Sequence, residues 1–311
     1  MGGQQAEDRL HGRRILIFGA AGQLGVELRR QFSGTALVTA VELADLDITD
    51  AARLRAFIRE TNPGAVLNAA AYTAVDRAES EPDLAHAVNA EAPRVMAEEC
   101  LRCGALFVHY STDYVFDGSK SGPWVETDTP NPLNVYGASK LAGEQAVAGV
   151  GGNYLIFRTS WVYSGHGKNF LLTMLRLGRE RDQLSIVDDQ IGAPTTANLL
   201  AAATRSIVAG IASGEFGGAA SWSGLYHITC SGSTSWFGFA QAIFDRASRL
   251  LGTKTPALIP IPTSAYPTPA ARPRNSVLSN DKLMARFGIA LGSWQCALDD
   301  EFAPMAVEQK N

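Results

Sequence analysis

The feature that most constrains this chain is a compact apolar run, Arg14–Gly19 (RILIFG), that passes directly into Gly19-Ala-Ala-Gly22-Gln-Leu-Gly25. A short apolar run of this kind reads as a buried strand, and the residues from about Gln23 to Phe32 read as a helix. Glycine at 19 permits a tight turn, at 22 a close approach of backbone to a pyrophosphate, and at 25 close packing of helix on sheet. A helix N-terminus placed there offers unpaired N–H groups and a partial positive charge to phosphate. Strand before and helix after are both present, so the loop reads as the phosphate cradle of a dinucleotide-binding unit.

The same alternation continues along the first half. Ala36–Val41, Ala65–Asn68, Leu106–Ser111 and Tyr154–Thr159 are further apolar strands. Between them lie a helix capped by Thr49 or Asp50 and stopped near Asn62-Pro63, a long helical region from about Pro82 to Cys103, and a helix over Val135–Val147. Pro93 is expected to kink or restart the second of these, with Asn89 as a cap. Strands that are apolar throughout, separated by helices, indicate a parallel sheet covered on both faces. The fold class is therefore α/β, a Rossmann-type doubly wound parallel sheet with a smaller, mixed C-terminal substrate-binding domain. Residues 1–12 are expected to be a loose extension, 13–164 the dinucleotide-binding domain rejoined by segments near 190–230, and 165–311 mainly the substrate domain. In that second part Gly165–Lys168 reads as a polar turn, Asn169–Glu180 as a helix, Ser185–Asp188 as β-like, Leu225–Thr229 as a strand and Ser235–Leu251 as an amphipathic helix. The proline-rich stretch Ile259–Arg274 is expected to be an ordered loop or extended arm rather than an element.

A formal net charge of −4 over 311 residues argues against a nucleic-acid partner, which would require a basic excess. No apolar run approaches the roughly 18 residues needed to cross a bilayer. Leu199–Ala212 comes nearest and is interrupted by Arg205. Met1–Gly12 is polar and lacks the apolar segment of a secretory signal, so the expected compartment is the cytoplasm. Cys100-x-x-Cys103 has no matching second pair for zinc, and free thiols are the better reading.

Chemistry enters with Tyr136-Gly-Ala-Ser-Lys140 at the start of a helix. Residues four apart share a helix face, so phenol and ammonium point into the same space. The adjacent cation is expected to lower the phenol from its usual pKa of about 10. Reduction of a ketone needs a hydride on carbon and a proton on the developing alkoxide, which such a phenol can donate. Lys140 can also hold the nicotinamide ribose. Ser111-Thr112-Asp113 ends the fourth strand, and carboxyl ends of parallel strands line the ligand crevice. Thr112 is therefore placed to bond the substrate oxygen and orient Tyr136. At the end of the second strand Glu42 stands where an acid bonds the 2′-hydroxyl of NAD, with no adjacent arginine for a 2′-phosphate, so NADH is favoured over NADPH.

These elements, with the Asn68-Ala69-Ala70-Ala71 strand end, resemble the extended short-chain dehydrogenase/reductases. Longer stretches narrow the resemblance: Ala74–Pro82 (AVDRAESEP), His109–Phe116 (HYSTDYVF), Arg158–Tyr163 (RTSWVY), Asp189–Thr195 (DQIGAPT), Asn169-Phe170 and Arg272-Pro273 with Asn275-Ser276. From Arg14 to about Phe302 the chain is similar to the dTDP-4-dehydrorhamnose reductase family. The resemblance implies that NAD(P)H delivers hydride to carbon 4 of dTDP-4-dehydro-6-deoxy-L-mannose, giving dTDP-L-rhamnose. It implies catalytic roles for Thr112, Tyr136 and Lys140. Cofactor contact falls to Gly19, Gly22, Gln23, Leu24, Gly25, Glu42, Asp47, Ile48, Ala69, Ala70 and Ala71. On the sugar side it places Val75, Asp76, Thr112, Asp113, Tyr114 and Trp161, and on the nucleotide side Asn169, Phe170, Gln190, Ala193 and Arg272. An aromatic that opens a helix, as Phe170 does, is also the usual core residue. Related dehydratases carry an acid directly after Thr-Asp. Here Tyr114 stands there, which favours reduction.

Some members of the family form a dimer through magnesium held by glutamates. Glu27 and Glu301 correspond to two of these, but Asn198 replaces the third, and loss of a carboxylate weakens a divalent site. No essential metal is therefore expected, with Mg²⁺ an optional ligand and the chain a monomer or homodimer. Two alternatives stand beside the main reading. One is a reductase of another nucleotide-linked 4-keto-6-deoxy sugar. The other is a non-catalytic subunit of the same fold, similar to the regulatory partner of methionine adenosyltransferase.

Overall fold

A computed structural model describes residues 10–308. Residues 1–9, most of the expected N-terminal extension, lie outside the described residues. Leu10, at the end of that extension, is buried in the main core, so this part is docked rather than loose.

Six parallel strands form the central sheet: β1 (Arg14–Phe18), β2 (Leu37–Val41), β3 (Ala65–Asn68), β4 (Leu106–Thr112), β5 (Tyr154–Thr159) and β6 (Gly224–His227). Their spatial order is β6-β5-β4-β3-β1-β2. The chain therefore leaves β1 toward β2 and crosses back to β3 on its other side, which makes the β1/β3 boundary the topological switch point. Side chains alternate between faces along each strand. Ile15 and Ile17 enter one core cluster, Leu16 and Phe18 another, and all four are buried. Both faces are thus covered, as uniformly apolar strands require. On the first face lie α1 (Gln23–Phe32) and the later helix Ala197–Ala212, through Leu28, Phe32, Leu200 and Ile207. On the second lie α2 (Ala51–Thr61), α3 (Ala92–Cys103) and α4 (Val135–Val150), through Leu54, Ile58, Met96 and Val147.

Asp50 caps α2, accepting from the Arg53 N–H at 3.0 Å, and left-handed Asn62 (φ 44°) ends it. The region before α3 departs from expectation. Pro82–His86 is helical, Ala87–Glu91 makes one π-helical turn, and α3 restarts there as expected, with Pro93 in its first turn, where proline needs no N–H partner. Asn89 is not a cap. Its side chain accepts from Tyr72 N–H (2.9 Å) and donates to Tyr72 O (3.1 Å) and Ser139 Oγ (3.0 Å), joining the β3 exit to α4. Beyond β5, Phe170–Glu180, Trp236–Leu251 and Trp294–Glu308 pack together as a helical layer. The proline-rich stretch was expected to contain no element, yet Ala257–Ile261 is a strand parallel to Gln183–Val187. Pro260 is tolerated because this two-stranded ribbon has no second neighbour for a prolyl nitrogen to serve. Among the described residues no helix is long and apolar enough to cross a membrane.

Candidate active site

The loop after β1 closes against the loop after β3. Gly19 is left-handed (φ 71°), and a Cβ there would stand 2.6 Å from the Ala70 nitrogen. At Gly25 a Cβ would stand 2.0 Å from Gly19 O, so helix and loop meet at a distance only glycine permits. Gly22 starts α1 with no side-chain cap, which leaves the first N–H groups for a ligand. A cleft of about 870 Å³ opens at this switch point. Gly19, Gly22, Gln23, Leu24, Glu42, Asp47, Ile48, Ala69, Ala70, Ala71, Tyr136 and Lys140 all line it. Gly25 does not, and acts from behind by seating the helix. These residues fit a dinucleotide: backbone at the pyrophosphate, Glu42 and Asp47 at the far end, and the Tyr–Lys pair at the near end.

Asn134 starts α4, its Oδ1 accepting from the Gly137 N–H at 2.8 Å, so Tyr136 and Lys140 occupy the first two turns. A Cβ at Gly137 would stand 2.2 Å from Tyr114 O. This glycine lets the helix lie directly on the loop after β4 and brings Tyr136 against Tyr114, ring centroids 5.6 Å apart and edge to face. Burial pushes the Tyr136 phenol up to about 12, partly offset by hydrogen bonding with Thr112. This corrects the expectation of a cation-lowered phenol. The Lys140 Nζ instead donates to Tyr110 O at 2.6 Å and lies 3.5 Å from His109 Nε2. Burial pulls Lys140 down to about 8, with Glu144 acting to raise it. His109 is itself anchored by Asn68 (Nδ2 to Nδ1, 3.1 Å).

Thr112 Oγ1 accepts from Tyr114 N–H (3.2 Å) and donates to Asp113 Oδ1 (3.0 Å). Burial raises Asp113 to about 6, against hydrogen bonds from Ser276 and Thr112 that lower it. A carboxyl raised on folding favours the folded state in acid and loses that contribution as pH rises through the folded pKa. The melting temperature of Asp113→Asn relative to the unmodified chain should therefore be higher at about pH 7 than at about pH 4. A difference that stays flat or falls over this range would contradict the assignment.

Arg272 reaches back from the proline-rich arm to Asp76 (2.8 Å), whose carboxyl it holds below the usual range. Asn134 Nδ2 donates to Ala271 O at 2.7 Å, which ties the same arm to the start of α4. Val75 opens the short helix Val75–Ala78 beside them. Trp161 follows β5 with a left-handed backbone (φ 47°), Ser160 Oγ donates to Ala193 O (3.0 Å), and Gln190 Nε2 donates to Thr263 Oγ1 (3.1 Å). Like Val75, Asp76, Trp161, Gln190, Ala193 and Arg272, Asn169 and Phe170 do not line the dinucleotide cleft. Asn169 caps its helix through Leu172 N–H and donates to Gln23 Oε1 (2.8 Å), Ser164 O and His166 O, while Phe170 packs on Trp236 and Phe239.

Ser164, Lys168 and Glu144 also contribute to the site, and the sequence reading named none of them as site residues. Asn169 and Ser164 both donate to Gln23, drawing the 164–169 loop over the glycine turn and bringing exposed Lys168 to the cleft wall. Beneath α4, buried Glu144 accepts from Ser111 Oγ (2.5 Å) and from Arg158 at both oxygens (2.9 and 2.6 Å). Glu144 lies four residues after Lys140 on the same face, and that spacing was the available clue.

The magnesium donors of some relatives do not fit a cation here. Arg30 donates to Glu27 (2.8 Å) and Asn198 (2.5 Å), and Glu301 accepts from the Gly165 N–H (2.6 Å). A guanidinium already bridges two of the three positions, so no divalent charge is needed between them.

Fold and site together define a Rossmann-type reductase of the Tyr-x-x-x-Lys class. The RmlD substrate binding domain model matches residues 13–307, and the chain belongs to the dTDP-4-dehydrorhamnose reductase family. It is 50% identical over 288 residues to a dTDP-4-dehydrorhamnose reductase of Burkholderia thailandensis (92% of this chain, 96% of that one). With the Escherichia coli K12 reductase identity is 43% over 286 residues (90% and 94%). A crystal structure of the Bacillus anthracis reductase in complex with NADP superimposes with a TM-score of 0.85 at 37% identity, covering 94% of this chain and 99% of that one.

Proposed function

We propose that this chain reduces the 4-keto group of dTDP-4-dehydro-6-deoxy-L-mannose with NAD(P)H, yielding dTDP-L-rhamnose. The observation that carries the reading is the placement of Tyr136 on the wall of the dinucleotide cleft, with Thr112 beside it and Lys140 one turn further along α4. Family membership supplies the substrate, since the relatives share this activity by name over nearly their whole length. When bound, the dihydronicotinamide supplies the hydride. Tyr136 donates its proton to the oxygen at carbon 4 as that oxygen gains negative charge. A phenol raised to about 12 stays protonated at neutral pH and is a donor rather than a base. Thr112 positions the same oxygen, and Lys140, held by the Tyr110 carbonyl on the wall of the cleft, is the residue that would hold the nicotinamide ribose. Tyr114 stands where an eliminating enzyme would need an acid, so the ring hydroxyls are retained.

The glycine turn, Glu42 and Asp47 hold the cofactor, and the segments carrying Asp76 and Trp161, from residues 13–164, join those carrying Gln190, Ala193 and Arg272, from residues 165–311, around the sugar nucleotide. The enzyme acts as a monomer or homodimer in the cytoplasm. Purified protein should consume NADH only when the keto sugar nucleotide is present. Failure to do so would overturn the reading. Of the residues lining the cleft only Lys140 and Lys168 are cationic, and the ribose end carries acids. The expected kcat/KM with NADH is therefore at least that with NADPH. A strong NADPH preference in parallel assays would contradict the role given to Glu42.

A further inference from the structure

The charged residues on the wall of the dinucleotide cleft are Glu42, Asp47, Lys140 and Lys168. A dinucleotide brings a negatively charged pyrophosphate into that cleft. The glycine turn answers it with uncharged N–H groups and the partial charge of a helix end. Of the two cations, Lys140 is buried and already donates to Tyr110 O at 2.6 Å. Lys168 is exposed, and among the described residues its ammonium has no carboxylate partner.

The loop that carries Lys168 is tied to the phosphate-binding helix itself. Gln23 opens α1 directly after Gly22, and its Oε1 accepts from Asn169 Nδ2 (2.8 Å) and Ser164 Oγ (3.0 Å). Between those anchors Gly167 is left-handed (φ 76°), and a Cβ there would stand 3.2 Å from Gln23 Cγ. The loop therefore lies directly on the first residue of the helix. Further out, the Gly165 N–H donates to Glu301 at 2.6 Å, and His166 Nε2 lies 3.2 Å from Glu27 Oε1, one turn along α1. Asn169 also caps the helix Phe170–Glu180 through the Leu172 N–H at 3.0 Å, so the loop continues into a rigid element. The two acids of the wall stand elsewhere, in the segment after β2.

We propose that residues 164–169 form a strap across the glycine turn that presents Lys168 to the pyrophosphate of the bound dinucleotide, with Asn169 as the positioning residue. The ammonium supplies the full positive charge that the turn lacks, and a loop fixed beforehand loses less of that attraction to ordering. The pyrophosphate is common to NADH and NADPH, so Lys168 strengthens both alike and does not select between them. The proposal rests on the reading of the cleft as a dinucleotide site.

Lys168→Met should raise the Kd of NADH about five- to tenfold in a nicotinamide fluorescence titration of the full chain, and that of NADPH by the same factor. Lys168→Arg keeps the charge and should stay within about twofold of the unmodified protein. Salt at about 0.5 M should weaken the unmodified protein more than Lys168→Met, since screening acts on the charge that the variant lacks. Asn169→Ser keeps a good helix cap but is too short to reach Gln23, and should raise the Kd about three- to fivefold. In that background Lys168→Met should add less than about twofold, a coupling that a general loss of stability would not produce. An unchanged Kd in Lys168→Met would overturn the proposal alone. So would a loss confined to NADPH, which would place the ammonium at the 2′-phosphate. Full additivity of the two substitutions would overturn the role given to Asn169. An unmodified protein that binds neither NADH nor NADPH would overturn the reading of the cleft, and this proposal with it.

Discussion

Tyr136→Phe should lower kcat by about 10²–10⁴-fold, the usual contribution of a positioned proton donor. The variant loses one oxygen. Its ring still meets Tyr114 edge to face, and the Gly137 contact that seats α4 does not involve the hydroxyl. NADH binding and the melting temperature should therefore change little, and the loss should appear in kcat rather than in KM. That division separates a chemical role from a structural one. Full activity in Tyr136→Phe would remove the proton donor from the mechanism, whatever the substrate proves to be.

Glu144→Ala should produce the largest loss of stability, about 3–5 kcal/mol, because it leaves the Arg158 guanidinium buried without its partner. Glu144 and Arg158 are both nearly inaccessible, and the guanidinium also lies 4.9 Å from the Phe116 ring centroid. The same carboxylate accepts from Ser111, the residue before Thr112, and lies one turn beyond Lys140. Activity should thus fall together with stability. Replacing both partners with apolar residues of similar size, Glu144→Leu with Arg158→Met, should be markedly less damaging than Glu144→Ala. Urea denaturation of the three proteins measures both differences. A single variant as stable as the unmodified chain would show that the pair contributes nothing.

The parts of this account that were legible in sequence are those encoded locally. Gly19, Gly22 and Gly25 announce a turn between strand and helix, and the structure places that turn at the switch point of the sheet. Tyr136 and Lys140 announced a shared helix face by spacing alone. Other features depend on residues far apart in the chain. The spacing of Tyr136 and Lys140 suggested that the cation would lower the phenol, but burial by surrounding elements decides the direction, and Lys140 is engaged by the Tyr110 carbonyl. Asn89 resembled a helix cap because asparagine before an interrupted helix usually is one, whereas here its partners are Tyr72 and Ser139. Asn169 and Phe170 open a helix in a family motif, and their contacts with Gln23 and with Trp236 come from residues far off in the chain.

The central claim is that a proton from Tyr136 and a hydride from the cofactor are added across the carbonyl at carbon 4 of the deoxythymidine-linked sugar. NMR analysis of the product formed with NADH carrying deuterium at both hydrogens of nicotinamide carbon 4 tests it most directly. The account predicts dTDP-L-rhamnose with deuterium at carbon 4 and no label elsewhere on the ring. A different configuration at carbon 4, label at another carbon, or an unlabelled product would contradict it.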